Sequence, residues 1–170
     1  MHILNVLAIV TLLMGGTASA SESQDSVPTD TELHSVYCIP VVQARIRNEQ
    51  GILALLSGPK GNQVSQSKKK YVIDQTQTQL EHMKSVLSRL QAYVTPVLDH
   101  RDPAPLIAAK RRADADLSQF EKQSDQCTNI CSPPGEDRTT DQLHQCVKSC
   151  GDQGLLSRIL ECEAPTWLPP

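Results

Sequence analysis

Residues 127–150 read CTNICSPPGEDRTTDQLHQCVKSC, and the fold turns on how the four sulfurs in this stretch are used. Cys127 and Cys131 are four residues apart, as are Cys146 and Cys150. On a helix, two residues at that spacing share a face and stand about 6 Å apart along the axis. Two cysteines so placed cannot easily bond each other. Two such helices running antiparallel can bond across, because the rungs are equally spaced. Pro133-Pro134-Gly135 supplies the break between them, since proline cannot continue a helix and glycine accepts a tight turn. The inner rung is then Cys131–Cys146 and the outer rung Cys127–Cys150. The crossed pairing needs parallel helices, which so short a linker forbids.

Metal and redox readings of the same sulfurs fit less well. Tetrahedral zinc sites use closer pair spacings at turns, and thiol redox centres favour Cys-x-x-Cys at a helix N-terminus. The twin Cys-x-x-x-Cys arrangement resembles plant α-hairpinin peptides, helical-hairpin scorpion toxins and the small Tim chaperones. That resemblance spans about Cys127 to Cys150 and implies an architecture without an activity. The six-cysteine spacing of insect odorant-binding proteins is not met.

The remaining cysteines, Cys38 and Cys162, pair by default and tie the first helix to the C-terminal segment. An even cysteine count suits an oxidising compartment, and the N-terminus agrees. MHILNVLAIVTLLMGGTASA is an apolar run ending in small residues, the layout of a secretory signal cut between Ala20 and Ser21. Its apolar core of roughly a dozen residues is short for a membrane span, which takes about 20, and no later run is longer. The expected location is therefore extracellular, with no stable membrane insertion.

Composition narrows the function classes. The 170-residue chain carries 16 Lys and Arg against 19 Asp and Glu, a formal net charge of −3, which does not advertise nucleic-acid or anionic-membrane binding. Aromatic residues make up 3%, so a core must be built from Leu, Ile, Val and Ala, which suits helices better than sheets.

Residues 21–36 are polar and acidic and are expected to be disordered. Cys38-Ile39-Pro40 opens the first helix, with the proline in its first turn. The helix continues through Val41 to Ser57, with Val42, Ile46, Leu53 and Leu56 facing inward and Arg45, Arg47 and Glu49 outward. Gly58-Pro59 ends it. A second helix is predicted from about Ser65 to Leu98. Ile73, Thr76, Leu80, Met83, Leu87, Leu90, Val94 and Val97 alternate three and four apart, a heptad seam. Val72, Val86 and Tyr93 widen the seam into a stripe, which favours packing within one chain over a homodimeric coiled coil. His100-Arg101-Asp102 is a loop; it echoes the kinase catalytic loop, but the other kinase signatures are missing. A third helix from about Ala104 to Cys131 turns Leu106, Ala113, Leu117, Phe120 and Cys127 to one side. Thr139-x-x-Gln142 is a capping box for the next helix, and Leu155, Leu156, Ile159 and Leu160 form a last amphipathic one. The tail ECEAPTWLPP should be extended.

The fold class is thus all-α: a disulfide-stapled bundle of four to five helices containing a twin Cys-x-x-x-Cys helical hairpin. A signal (1–20) and a disordered segment (21–36) precede the helical domain (37–163), and a Pro-rich tail (164–170) follows. No nucleophile–base–orienter set emerges. His34, His82, His100 and His144 lack neighbouring ligands at helical spacing, so neither an enzyme, a metal site nor a cofactor is expected. The function expected is that of a secreted protein that binds an unidentified extracellular protein, as an effector, toxin or hormone-like ligand does. Two alternatives stand beside it: a carrier of an apolar ligand between its helices, and a precursor cut at Lys110-Arg111-Arg112, a run that reads more simply as a solvated helix face.

Overall fold

A computed structural model describes residues 27–59, 65–132, 142, 145, 146 and 149–168. The signal segment with Ala20 and Ser21, the Pro133-Pro134-Gly135 turn, Thr139 and His144 lie outside them. The described residues are helical, with four long elements: α1 (Asp30–Ser57), α2 (Gln66–Leu98), α3 (Pro103–Cys131) and α4 (Gln153–Glu163). α1 packs against each of the others, whereas α2 and α3 scarcely meet.

This central position explains the largest departure from the sequence reading. α1 begins at Asp30, so 30–36 are helical rather than disordered, and Pro40 lies inside the helix rather than in its first turn. A capping box starts it: the Thr29 hydroxyl accepts from Glu32 N–H, and the Glu32 carboxylate accepts from Thr29 N–H, satisfying donors that a helix start leaves open. Arg101 then grips Glu32 at 2.8 Å and holds this end of α1 to the α2–α3 turn. Its hydrogen bonds keep the Glu32 carboxyl below its usual range, against the opposing effect of burial. Inside a helix Pro40 removes one backbone hydrogen bond, a cost of about 3 kcal/mol. Ser35, Val36, Tyr37, Cys38, Val41 and Val42 are all buried around it, and packing on this scale offsets that cost. With consecutive residues buried, α1 has no single apolar stripe for a periodicity search to find.

On α2, Thr76, Leu80, Met83, Val86, Leu90 and Val94 are buried. Thr76 and Val94 stand five turns apart at about 3.6 residues per turn. The stripe therefore follows a straight helix and not a 3.5-residue supercoil: Val86 is buried and Leu87 only half-buried. Val41 and Val42 of α1 cover it, forming one core with Met83, Leu90, Ala113, Leu155 and Ile159. Pro96 is exposed in the last turn, and α2 runs on to Leu98. A second cluster of Val36, Val94 and Leu106 closes the end where α1, α2 and α3 converge. Asp102 caps α3 by accepting from Ala104 N–H.

Glu49 also departs from expectation. It is 4% exposed and bonds Arg45 across one helical turn at 3.0 Å. The tail is not extended: turn hydrogen bonds Thr166 N–H to Ala164 O and Leu168 N–H to Pro165 O fold it back. Leu168 is buried in the main core, and Trp167 meets His34 edge-on at 4.6 Å. Leu, Trp and the fixed φ of proline make a short segment that can dock, where proline content alone predicts an extended tail.

Candidate functional site

Disulfides join Cys38 to Cys162, Cys127 to Cys150 and Cys131 to Cys146, with Cα separations of 5.1, 5.7 and 5.7 Å. The first links α1 to α4 across 124 residues of chain and is wholly buried at both ends. The other two link α3 to the segment before α4, where Cys150 N–H bonds Cys146 O as in a helix. Gly151 turns the chain into α4 with a φ of +88°, in the left-handed region that glycine enters without strain. Asp152 then caps α4 through Gly154 and Leu155 N–H.

Lys110, Arg111 and Arg112 are exposed in the N-terminal half of α3, and Ala113, which follows them, is fully buried. His82 is exposed and meets Glu163 O at 3.0 Å. Among the described residues no group of three His, Cys, Asp or Glu side chains is placed to hold a metal ion, and no helix is long and apolar enough to cross a membrane.

Three features come together that no local pattern signals. One is a buried polar cluster. Tyr37, 5% exposed, donates its hydroxyl to Asp116 at 2.8 Å, and Arg158 Nε reaches the same carboxylate oxygen at 3.1 Å. Burial works to raise the Asp116 pKa, but the hydrogen bonds from Arg158 and Tyr37 outweigh it and hold the carboxyl low. Burial, followed by the Asp116 bond, pushes the Tyr37 phenol up to about 12. Three helices are thereby joined through one carboxylate.

The second feature is a lateral groove of about 460 Å³ between α1 and α3. The third is an arm. Neither core cluster contains a residue beyond Ile46 on α1 or before Met83 on α2, although these helices continue to Ser57 and begin at Gln66. In this pair of helical ends Leu55 is 57% exposed, Tyr71 63% and Val72 37%. A polar recess of about 570 Å³, walled by Arg45, Glu49, Asp74 and Gln75, adjoins Tyr71. Val72 was expected to widen the buried stripe and lies outside it, 37% exposed on a stretch of α2 that, among the described residues, contributes to neither core cluster.

Compared with protein-family models, curated proteins and solved structures, the chain matches none of them.

Proposed function

We propose that this chain is exported, cut between Ala20 and Ser21, and acts outside the cell as a non-catalytic, disulfide-stapled helical protein that binds another protein in the manner of an effector, toxin or hormone-like ligand. The observation that carries this reading is the bare arm. Leu55, Tyr71 and Val72 face solvent on two helices whose lower halves are anchored in the core. Aromatic and aliphatic side chains at the centre with charged side chains at the rim are the make-up of a protein-binding surface. Three disulfides support export, because such bonds persist in oxidising compartments. Cys38–Cys162 also fixes the half of α1 from which the arm projects. Within this reading, Cys127 to Cys150 forms a two-armed antiparallel helical hairpin, supported by the equal Cα separations of its two rungs.

A photo-crosslinking residue at position 71, compared with one at exposed Glu121 on α3, tests the arm. With extracellular material of the source organism, one saturable protein adduct should form at position 71 and not at 121. Leu55→Glu should weaken it roughly tenfold or more, as expected for loss of an anchor worth about 1.4–2 kcal/mol. Equal labelling at both positions, or adducts only between copies of this chain, would sink the reading.

The precursor reading gains from the exposure of Lys110-Arg111-Arg112 but meets an obstacle. A cut after Arg112 falls within the 29-residue helix α3 and directly before buried Ala113, so a protease needs this helix unfolded. Intact-mass measurement of secreted material, reduced and unreduced, should give one species, 21–170, with three disulfides; a fragment beginning at Ala113 would establish processing instead.

A further inference from the structure

A carrier with its ligand at the centre of the bundle finds no room among the described residues: Met83, Leu90, Leu155 and Val42 are each under 2% exposed and share the main core. The space is lateral. Asp30, Leu33, His34 and Tyr37 on α1, and Pro105, Ala108, Ala109 and Arg112 on α3, line the groove. Both sets are spaced i, i+3, i+4, i+7, a single stripe on each helix. The helices run the same way, since Glu32 meets Arg101 and Tyr37 meets Asp116. The groove is therefore a trough about two helical turns, roughly 10 Å, in length. Its middle is lined by Leu33, Ala108 and Ala109 with the His34 ring beside them, and it exists because Ala108 and Ala109 are small.

Its ends differ in charge. Asp30 stands at one end, and Tyr37, Arg112 and Arg158 stand at the other. At that second end two guanidinium groups stand near one buried carboxylate, Asp116, which feels both charges. Arg158 uses Nε on it, and Arg112 stands one turn before it on α3. One positive charge is left over beside an apolar trough, and guanidinium forks match carboxylates in shape.

We infer that this trough binds a small amphipathic carboxylate, with its apolar body along Leu33, Ala108 and Ala109 and its head group against Arg112 and Arg158. The trough lies at the opposite end of α1 from the Leu55 arm, so this site and the protein-binding surface stand or fall separately.

Backbone amide NMR of the mature, fully oxidised chain tests it, with decanoate, decanol and decyltrimethylammonium as probes below micelle-forming concentrations. Decanoate should shift the amides of Leu33, Ala108, Ala109 and Arg112 saturably. Decanol and the ammonium amphiphile should bind at least roughly tenfold more weakly, since a charge-assisted hydrogen bond is worth that much or more. Arg112→Ala should cost about tenfold on the same grounds. Ala108→Leu, at an exposed position and with a good helix former, should fill the trough and abolish binding while the spectrum elsewhere is unchanged. Decanol binding as tightly as decanoate, saturable shifts confined to the Leu55–Tyr71 arm, no saturable shift at all, or full affinity in both variants would overturn the assignment.

Discussion

Replacing Cys38 and Cys162 together by serine is expected to lower the stability of the mature chain by about 4–5 kcal/mol, the chain-entropy value for so long a closed loop. The bond spans 124 residues, so without it the unfolded chain regains the freedom of that loop, apart from the stretch still closed by the other two disulfides. Both cysteines are fully buried, and their hydroxyl replacements add an unfavourable polar burial. The melting temperature should fall by roughly 10–20 °C, at about 2–4 °C per kcal/mol for a chain of this size. Replacing Cys131 and Cys146 gives the contrast. Alone, a 15-residue closure is worth about 3 kcal/mol, but Cys127–Cys150 already closes the surrounding loop. The inner rung should therefore cost only a few degrees. Thermal unfolding by circular dichroism compares the two variants directly. Equal losses would mean that the long-range bond contributes no more than the inner rung, against its 124-residue span.

The second large effect is expected at Asp116. Asp116→Ala leaves the buried Tyr37 hydroxyl and the Arg158 guanidinium without their shared partner, which should cost about 2–4 kcal/mol in urea unfolding at neutral pH. Tyr37→Phe removes a single hydrogen bond and should cost about 1 kcal/mol. The pH dependence separates the two. The Asp116 pKa is lower in the folded chain than in the unfolded one. Its contribution is therefore complete above the unfolded carboxylate value of about 3.9 and is lost as pH falls through the folded value. Glu32 acts in the same direction through Arg101. Tyr37 has the opposite sign. Its folded pKa is raised to about 12, so its contribution is complete below the unfolded value of about 10 and is lost as pH rises toward the folded one. Asp116→Ala should flatten part of the acid limb of the stability curve, and Tyr37→Phe part of the alkaline limb. An acid limb unchanged in Asp116→Ala would show that the cluster is not the link between these helices.

The legible parts of this fold are those governed by short-range rules. α2 and α3 are amphipathic, and their ends carry ordinary signals: Asp102 before Pro103 starts α3. α1 was harder to read. Thr29-x-x-Glu32 is a capping box in plain view, but the polar residues around it outweighed it in a reading by composition. The helix then passes through Pro40, a residue that local rules place at a helix start. Its burial on several sides erases the periodicity on which helix boundaries are judged. The tail is hard to read for a related reason, because the docking of Leu168 and Trp167 involves partners as distant as Arg89 and His34, and a turn at Pro165 has no period.

The candidate sites divide in the same way. The basic run Lys110-Arg111-Arg112 and the cysteines are visible as letters. Arg112 as one wall of a trough is not, because it acquires that role only when Leu33 and Tyr37 arrive from α1. Leu55 and Tyr71 look like any other apolar letters until the fold leaves them 57% and 63% exposed. The sequence alone determined an all-helical chain with bonded sulfurs, because helical spacing, aliphatic composition and cysteine count act through neighbours or through chemistry that needs no partner in space. Tertiary structure alone decided which helix is central, which apolar side chains are left bare and which carboxylate is shared, because burial and electrostatic pairing are properties of surfaces that meet only when the chain has folded.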